Sequence, residues 1–342
     1  MSDPVHGASL KKWQDEYGFD LLSWIPLPRP LTFSFYSNWL EEQRHGDMAY
    51  LKAQSTLKED PRHVFEQGKS LIVAGVRYKP HPEPLEPFPD SLRIAAYAKG
   101  RDYHLWLAEK LNKLAESIKS QNPTFEYMIA TDSKPFLERD LAQQAALGWI
   151  GKNTCLIHPK EGSFFFLAEI LTNLEITGPD LEPIPDFCGK CTRCLDACPT
   201  GALESPRLLD ARKCISYWTI ESKEVPPQEL REKMGDWFFG CDICQDVCPW
   251  NEKVFRKRAS PQTAPSEATL SEELRFFLTA SNREMERQWG HTPLLRARPR
   301  GLRRNAILVA ANKGLRELRP EIERWKEDAE LGELARWALE RL

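Results

Sequence analysis

Apolar residues recur along this chain in two rhythms. Across residues 70–78 (SLIVAGVRY) they form a short β-branched run, after Gly68 and before Pro80. Breakers on both sides of such a run predict a buried strand. Across residues 104–119 the spacing changes. Leu105, Leu107, Leu111, Leu114 and Ile118 return at helical intervals, with Asp102 placed to cap the first turn. Residues 136–147 predict a second helix, which runs into the turn Gly148-Trp149-Ile150-Gly151-Lys152-Asn153. Segments 154–158 and 163–171 are expected to pair with each other as strands, around a turn at 159–162. Residues 80–89 hold five prolines and are expected to be irregular. Residues 177–186 (TGPDLEPIPD) read as a linker. From residue 271 onward the pattern is helical, with helices over 302–311 and 321–342 separated by Gly314 and Pro320.

Composition narrows the class. A chain of 342 residues exceeds what one core usually fills. At 41% hydrophobic residues it is not mainly disordered. No apolar run approaches the roughly 20 residues of a membrane span, and MSDPVHGASLKKW has no signal-peptide core. A soluble, cytoplasmic protein is expected. With 47 basic against 50 acidic residues, the net charge of -3 excludes a polycation that coats nucleic acid along its whole length. The charge is uneven, however. Residues 291–320 carry Arg296, Arg298, Arg300, Arg303, Arg304, Lys313, Arg316 and Arg319 against Glu317 alone, a net +7. Arg256, Lys257 and Arg258 form a shorter basic cluster.

Eight of the nine cysteines lie between Cys188 and Cys248. The run Cys188-x2-Cys191-x2-Cys194-x3-Cys198-Pro199 has the bacterial ferredoxin spacing, in which three cysteines hold one [4Fe–4S] cluster and the fourth reaches the other. A second run, Cys241-x2-Cys244-x3-Cys248-Pro249, lacks one cysteine, and Cys214 is the nearest spare. Two crossed sets follow: Cys188, Cys191, Cys194 and Cys248 on one cluster, and Cys198, Cys214, Cys241 and Cys244 on the other. Structural zinc is the rival, since Cys-x2-Cys pairs also build zinc sites. Cys155 is expected to be a small buried apolar residue. His104 begins an Asp-x-His-x-x-Gly pattern, but Leu107 replaces the glycine, so it is read as structural.

Several segments together resemble the epoxyqueuosine reductase family: 96–104 (AYAKGRDYH), 131–139 (TDSKPFLER), 147–153 (LGWIGKN), Cys214-Ile215-Ser216-Tyr217, 241–251 (CDICQDVCPWN) and the first cysteine run. The likeness spans roughly residues 20 to 312. It implies an α+β chain in three parts. Residues 1–176 would form a mixed-sheet α/β cobalamin-binding catalytic domain related to nitroreductases. Residues 177–255 would form a ferredoxin-like module with two [4Fe–4S] clusters, and 256–342 a HEAT-like helical domain that binds tRNA. The implied reaction is reduction of epoxyqueuosine to queuosine at the tRNA wobble position, by cob(I)alamin fed from the clusters. Cobalamin would be base-off, with no histidine ligand. An electron donor such as flavodoxin or ferredoxin and a monomeric state are expected.

The resemblance also implies roles for residues. Asp132 matches the proton donor, and apolar surroundings are expected to raise its pKa. Lys58, Ala96, Asp132, Leu156, Leu167, Ser216 and Asp242 match cobalamin contacts. Arg296, Arg298, Arg303 and Arg304 are the expected tRNA contacts, because basic clusters neutralise phosphates. Two other readings remain open at this level: a corrinoid-dependent iron–sulfur reductase acting on a small molecule or protein, and a non-catalytic electron-transfer module.

Overall fold

A computed structural model describes residues 8–79, 81–85, 88–176, 181–255 and 267–342. The basic cluster Arg256, Lys257 and Arg258 lies outside the described residues, as do parts of the 80–89 loop and of the 177–186 linker.

Four strands build the main sheet: β1 (Leu21–Pro26), β2 (Ser70–Arg77), β3 (Tyr127–Ala130) and β4 (Phe165–Thr172), in the order β1-β2-β4-β3. Every neighbouring pair is antiparallel, so the expected mixed sheet is corrected. The apolar run at 70–78 is the central strand β2, buried because it carries helices on both faces. Ile72, Ala74, Val76, Phe166, Ala168 and Ile170 face α1 (Ala8–Tyr17) and α2 (Tyr103–Gln121). Helix α2 opens where expected: the Asp102 carboxylate accepts from the His104 N–H at 3.1 Å. It buries Leu107, Leu111, Leu114 and Ile118, each contributing about 1.5–3 kcal/mol to this core. Leu71, Val73, Phe165 and Leu171 face the other way, toward Leu141 and Ala142 of α3 (Glu138–Gln144).

The segments 154–158 and 163–171 do not pair as expected. Leu156–Ile157 pairs with Trp149–Ile150, and only the His158–Gly162 bridge closes the turn between them. Strand β4 pairs instead with β2 along its whole length and with β3 from Glu169 to Thr172.

Beyond the cysteines lie α4 (Glu267–Thr279), α5 (Asn282–Trp289), α6 (Arg298–Lys313), α7 (Arg319–Glu323) and α8 (Gly332–Leu339). Helix α6 is surrounded: Ala306, Ile307, Val309 and Ala310 are at most 1% exposed. Gly314 ends it with φ +68°, a left-handed value that glycine adopts without steric cost. Pro320 sits in the first turn of α7 and opens that helix. The core around α6 also contains Trp218, Trp237, Phe238 and Phe239, so it is continuous across residue 255. Among the described residues, no helix is long and apolar enough to cross a membrane.

Candidate cluster cavities and the adjoining acid site

Two cavities, each of about 250 Å³, divide the cysteines. Cys188, Cys191, Cys194 and Cys248 line one. Cys198, Cys214, Cys241 and Cys244 line the other. All nine cysteines are free thiols. Short loops ending in the one-turn helices Arg193–Asp196 and Ile243–Asp246 point the sulfurs inward. Among the described residues, no three His, Cys, Asp or Glu side chains converge on a single-ion site. Four thiols around a cavity of this size fit a cubane cluster, whose irons each take one thiolate, better than a lone tetrahedral ion.

The Gly-Trp-Ile-Gly-Lys-Asn turn grips both cavities. Trp149 Nε1 donates to Cys188 Sγ at 3.4 Å. Lys152 Nζ donates to the carbonyls of Gly189 and Cys191 at 2.7 and 2.9 Å. Asn153 Nδ2 donates to the Cys244 carbonyl at 3.2 Å. No spacing signal announces these contacts, because the bonded residues are 37 and 39 positions apart in the chain.

A third cavity, of about 270 Å³, shares Tyr97, Cys155 and Gln245 with the second cysteine cavity. Cys155 is half-buried and forms part of this common wall. Asp132, Leu156 and Leu167 line this third cavity with Tyr103, Glu138 and Arg139. Ser216 and Asp242 line the cysteine side of the wall, and Asp242 Oδ2 accepts from the Ala96 N–H at 2.7 Å. Lys58 is not among the lining residues. It is buried, and its Nζ donates to the Phe136 carbonyl at 3.2 Å, so it braces the loop after Asp132 from beneath.

Asp132 follows β3 in a left-handed conformation, φ +56°. Its backbone is tied down by Glu138 Oε1, which accepts the Asp132 N–H at 2.7 Å. The Tyr103 hydroxyl donates to Asp132 Oδ2 at 2.8 Å, and His104 Nε2 lies 3.8 Å away. The expected upward pKa shift is corrected here. Burial raises it, but His104 and Tyr103, with the charge of Arg139, outweigh burial and hold the carboxyl below its usual value. Burial likewise lowers the His104 pKa, yet Asp102 and Asp132 lift it to about 9, so the imidazole is charged at neutral pH. The neutral acid of this site is Glu138, pushed up to about 8 by burial and by the charge of Asp132. Sequence reasoning misses Glu138, although it lies in the same segment 131–139 as Asp132.

The expected basic surface is redrawn. Arg303 and Arg304 are 6% and 2% exposed, so neither forms an open phosphate contact. Arg304 donates to the carbonyls of Ser222 and Glu224 at 2.6 and 2.9 Å, and to that of Trp218. Arg303 donates to the Ala280 carbonyl at 2.7 Å and lies over Trp325. Helix α6 is packed on all sides, so its basic residues are drawn inward to satisfy loop carbonyls. Arg296 and Arg298 do reach an open cavity of about 600 Å³, which also contains Tyr50, Lys223 and Arg300. Arg296 forks onto Glu221 with both bonds at 3.0 Å.

Comparisons with known proteins agree with this geometry. A family model described as "4Fe-4S double cluster binding domain" matches residues 187–251, and one described as "Epoxyqueuosine reductase QueG, DUF1730" matches residues 58–133. An epoxyqueuosine reductase of Cyclobacterium marinum is 42% identical over 239 residues, covering 69% of this chain and 76% of that protein. One from Escherichia coli is 35% identical over 316 residues, covering 86% and 81% respectively. The structure of an epoxyqueuosine reductase with a tRNA-Tyr epoxyqueuosine-modified tRNA stem loop superposes with a TM-score of 0.81 at 28% identity, covering 98% of this chain and 89% of that one. Crossed cysteine cavities, the acid loop beside them and relatedness along most of its length lead to one assignment: the chain belongs to the epoxyqueuosine reductase family.

Proposed function

We propose that the chain reduces epoxyqueuosine to queuosine at the wobble position of tRNA, with base-off cobalamin and two [4Fe–4S] clusters as electron carriers. One observation carries this reading: the Asp132 cavity and the second cysteine cavity share a wall, so electrons and a proton donor meet in one place.

The residues fit a corrinoid. Leu156, Phe165, Phe166 and Leu167 offer an apolar surface. Leu156, Leu167, Asp132 and the main chain of Ala96 would hold it, with Ser216 and Asp242 on the cluster side. When bound, cobalamin supplies low-potential electrons, which the clusters deliver singly. The protein's own residues manage the proton and the position. Asp132, once it has taken up a proton, would donate it from its carboxyl to the epoxide oxygen, and Tyr103 and His104 fix its direction. The Asp132 side chain is 64% exposed; cofactor and substrate packed on Phe165, Phe166 and Leu167 would cover it, and exclusion of water strengthens the acid's interaction with a developing alkoxide. Arg296 and Arg298, on the 600 Å³ cavity, would meet the phosphates of the anticodon loop.

We read residues 1–176, 177–255 and 256–342 as the catalytic, cluster-binding and tRNA-binding parts. The first is nitroreductase-related and the last is a HEAT-like unit. A cytoplasmic monomer fed by flavodoxin or ferredoxin completes the proposal. The test is anaerobic purification with cobalamin, then nucleoside analysis of epoxyqueuosine-containing tRNA after incubation. Queuosine formation is the expected result. Intact clusters and cobalamin with unchanged tRNA would instead favour a small-molecule or protein substrate.

A further inference from the structure

Glu169 lines neither the cysteine cavities nor the acid cavity, and its position is costly. It sits in the middle of β4, opposite Val73 on β2 and Ala130 on β3. It is 0% exposed, and neither carboxyl oxygen has a hydrogen-bond donor. Alternation along β4 puts it on the face of Phe165, Leu167 and Leu171, the face that meets α3 and the Asp132 loop. Leu167, one step along that face, already lines the acid cavity.

The charged groups around it do not neutralise it. On α3, Arg139 donates to the Thr154 carbonyl at 2.8 Å, and Asp140 accepts from the N–H groups of Leu31 and Thr32 at 3.1 and 2.7 Å. Lys58 donates to Phe136. The remaining neighbours are themselves acids, Glu138 and Asp132. An ionised carboxylate without a partner in such a place costs several kcal/mol, so the group rests protonated and gives up its proton only to a far stronger base. Burial and these two acids push the Glu169 pKa well above the usual value. Two neutral carboxyls therefore stand behind an ionised Asp132: Glu138 in the cavity wall and Glu169 beneath it.

The stoichiometry calls for such a store. Removing an epoxide oxygen breaks two C–O bonds, forms one C=C bond and releases water. Two electrons and two protons must be supplied. The electrons come from the external reductant through the clusters. Asp132 is one carboxyl, and it can deliver one proton at a time.

We infer that Glu138 and Glu169 form an internal proton reserve, from which Asp132 is loaded and reloaded, so that both protons of the reduction come from inside the sheet. This rests on the reading of Asp132 as proton donor. Glu138 and Asp132 line the same cavity, where one water molecule would join their carboxyls. The alkoxide that forms as a C–O bond breaks is far more basic than any carboxylate, and it draws the proton outward. Glu138 is then refilled from Glu169, whose carboxyl lies beside its own, and between turnovers solvent returns both protons through the cavity that Glu138 lines. Both glutamates act through Asp132 and are positioning residues in that sense.

The experiment compares the holoenzyme with Glu169→Gln, Glu138→Gln and Asp132→Asn. Gln keeps the shape of a neutral acid but cannot release a proton. In Glu169→Gln the single-turnover rate should fall roughly 10- to 100-fold, the lower end of the range for acid–base groups, with KM for tRNA unchanged. The infrared spectrum of the resting protein at neutral pH should lose one neutral-carboxyl C=O band in Glu169→Gln. Glu138→Gln should flatten the alkaline limb of the rate profile. An unchanged rate and pH profile in both variants, or no lost band in Glu169→Gln, would overturn the reserve. If Glu169→Gln does not fold, the Glu138→Gln profile and the wild-type carboxyl band decide the question. Full turnover by Asp132→Asn would instead overturn the donor reading, a result the infrared band does not depend on.

Discussion

The cysteine cavities and the acid cavity share a wall, yet they are built in opposite ways. Seven of the eight cluster cysteines come from two short runs whose spacing alone points them inward, and only Cys214 is recruited from elsewhere. The acid cavity takes its groups from separate elements: Tyr103 from α2, Asp132 from the end of β3, Glu138 from α3 and Leu167 from β4. A ligand set written in local spacing tolerates little besides ligand loss. A site assembled from distant elements has its chemistry set by neighbours, and Asp132 is the example. Its own residue type and loop predict nothing about its protonation, which His104 and Tyr103 decide.

The largest expected effect breaks the first region. Cys214→Ser should remove one cluster, leave roughly half the iron, and abolish turnover, as measured by iron analysis and tRNA nucleoside analysis. Asp132→Asn should do the reverse. Iron and bound cobalamin should be retained while the rate falls about 10²- to 10⁴-fold, the range for a general acid. If both variants lose clusters, the two regions are less separable than their architecture implies.

A third pair of variants sharpens the same distinction in the basic segment. Arg304→Met should destabilise the protein by about 2–5 kcal/mol in denaturant unfolding, because several buried carbonyls lose their donor. Arg298→Glu, on the exposed rim, should barely alter stability but should weaken tRNA binding and reduce its salt dependence.

The smallest effect is in pH. The folded protein binds a proton more tightly than the unfolded chain at Glu138, with its pKa pushed from 4.5 to about 8, and at His104, raised from 6.5 to about 9. Their stabilisation is fully present below the unfolded values and is lost as pH rises through about 8 and 9. The contribution of Glu138 should therefore decline from about pH 4.5 to about 8 and that of His104 from about 6.5 to about 9, and Glu138→Gln should flatten the first of these declines.

These contrasts explain what was legible in the sequence. The β-branched run at 70–78 and the leucine spacing of 104–119 became β2 and α2 with shifts of a residue or two, because each encodes its own burial face. The cysteine runs were legible in their spacing, and the two expected sets line separate cavities. Strand β3 was not, since Tyr127–Ala130 is too short to show a period. Nor was the partner of β4, because antiparallel register depends on strands far away in the chain. The arginines of α6 illustrate the limit best. Arg298 and Arg304 belong to the same basic run, and only packing decides that one meets solvent and the other caps a loop.

The central claim is that electrons and protons meet in the Asp132 cavity. Its most direct test is a single-turnover experiment with cobalamin-loaded protein whose clusters are reduced beforehand, mixed with epoxyqueuosine-containing tRNA. The optical spectrum of the clusters and the nucleosides of the tRNA are followed together. Wild-type protein should form queuosine as its clusters oxidise, and Asp132→Asn should keep its clusters reduced and its tRNA unchanged. Queuosine formed by Asp132→Asn at the wild-type rate would contradict the account.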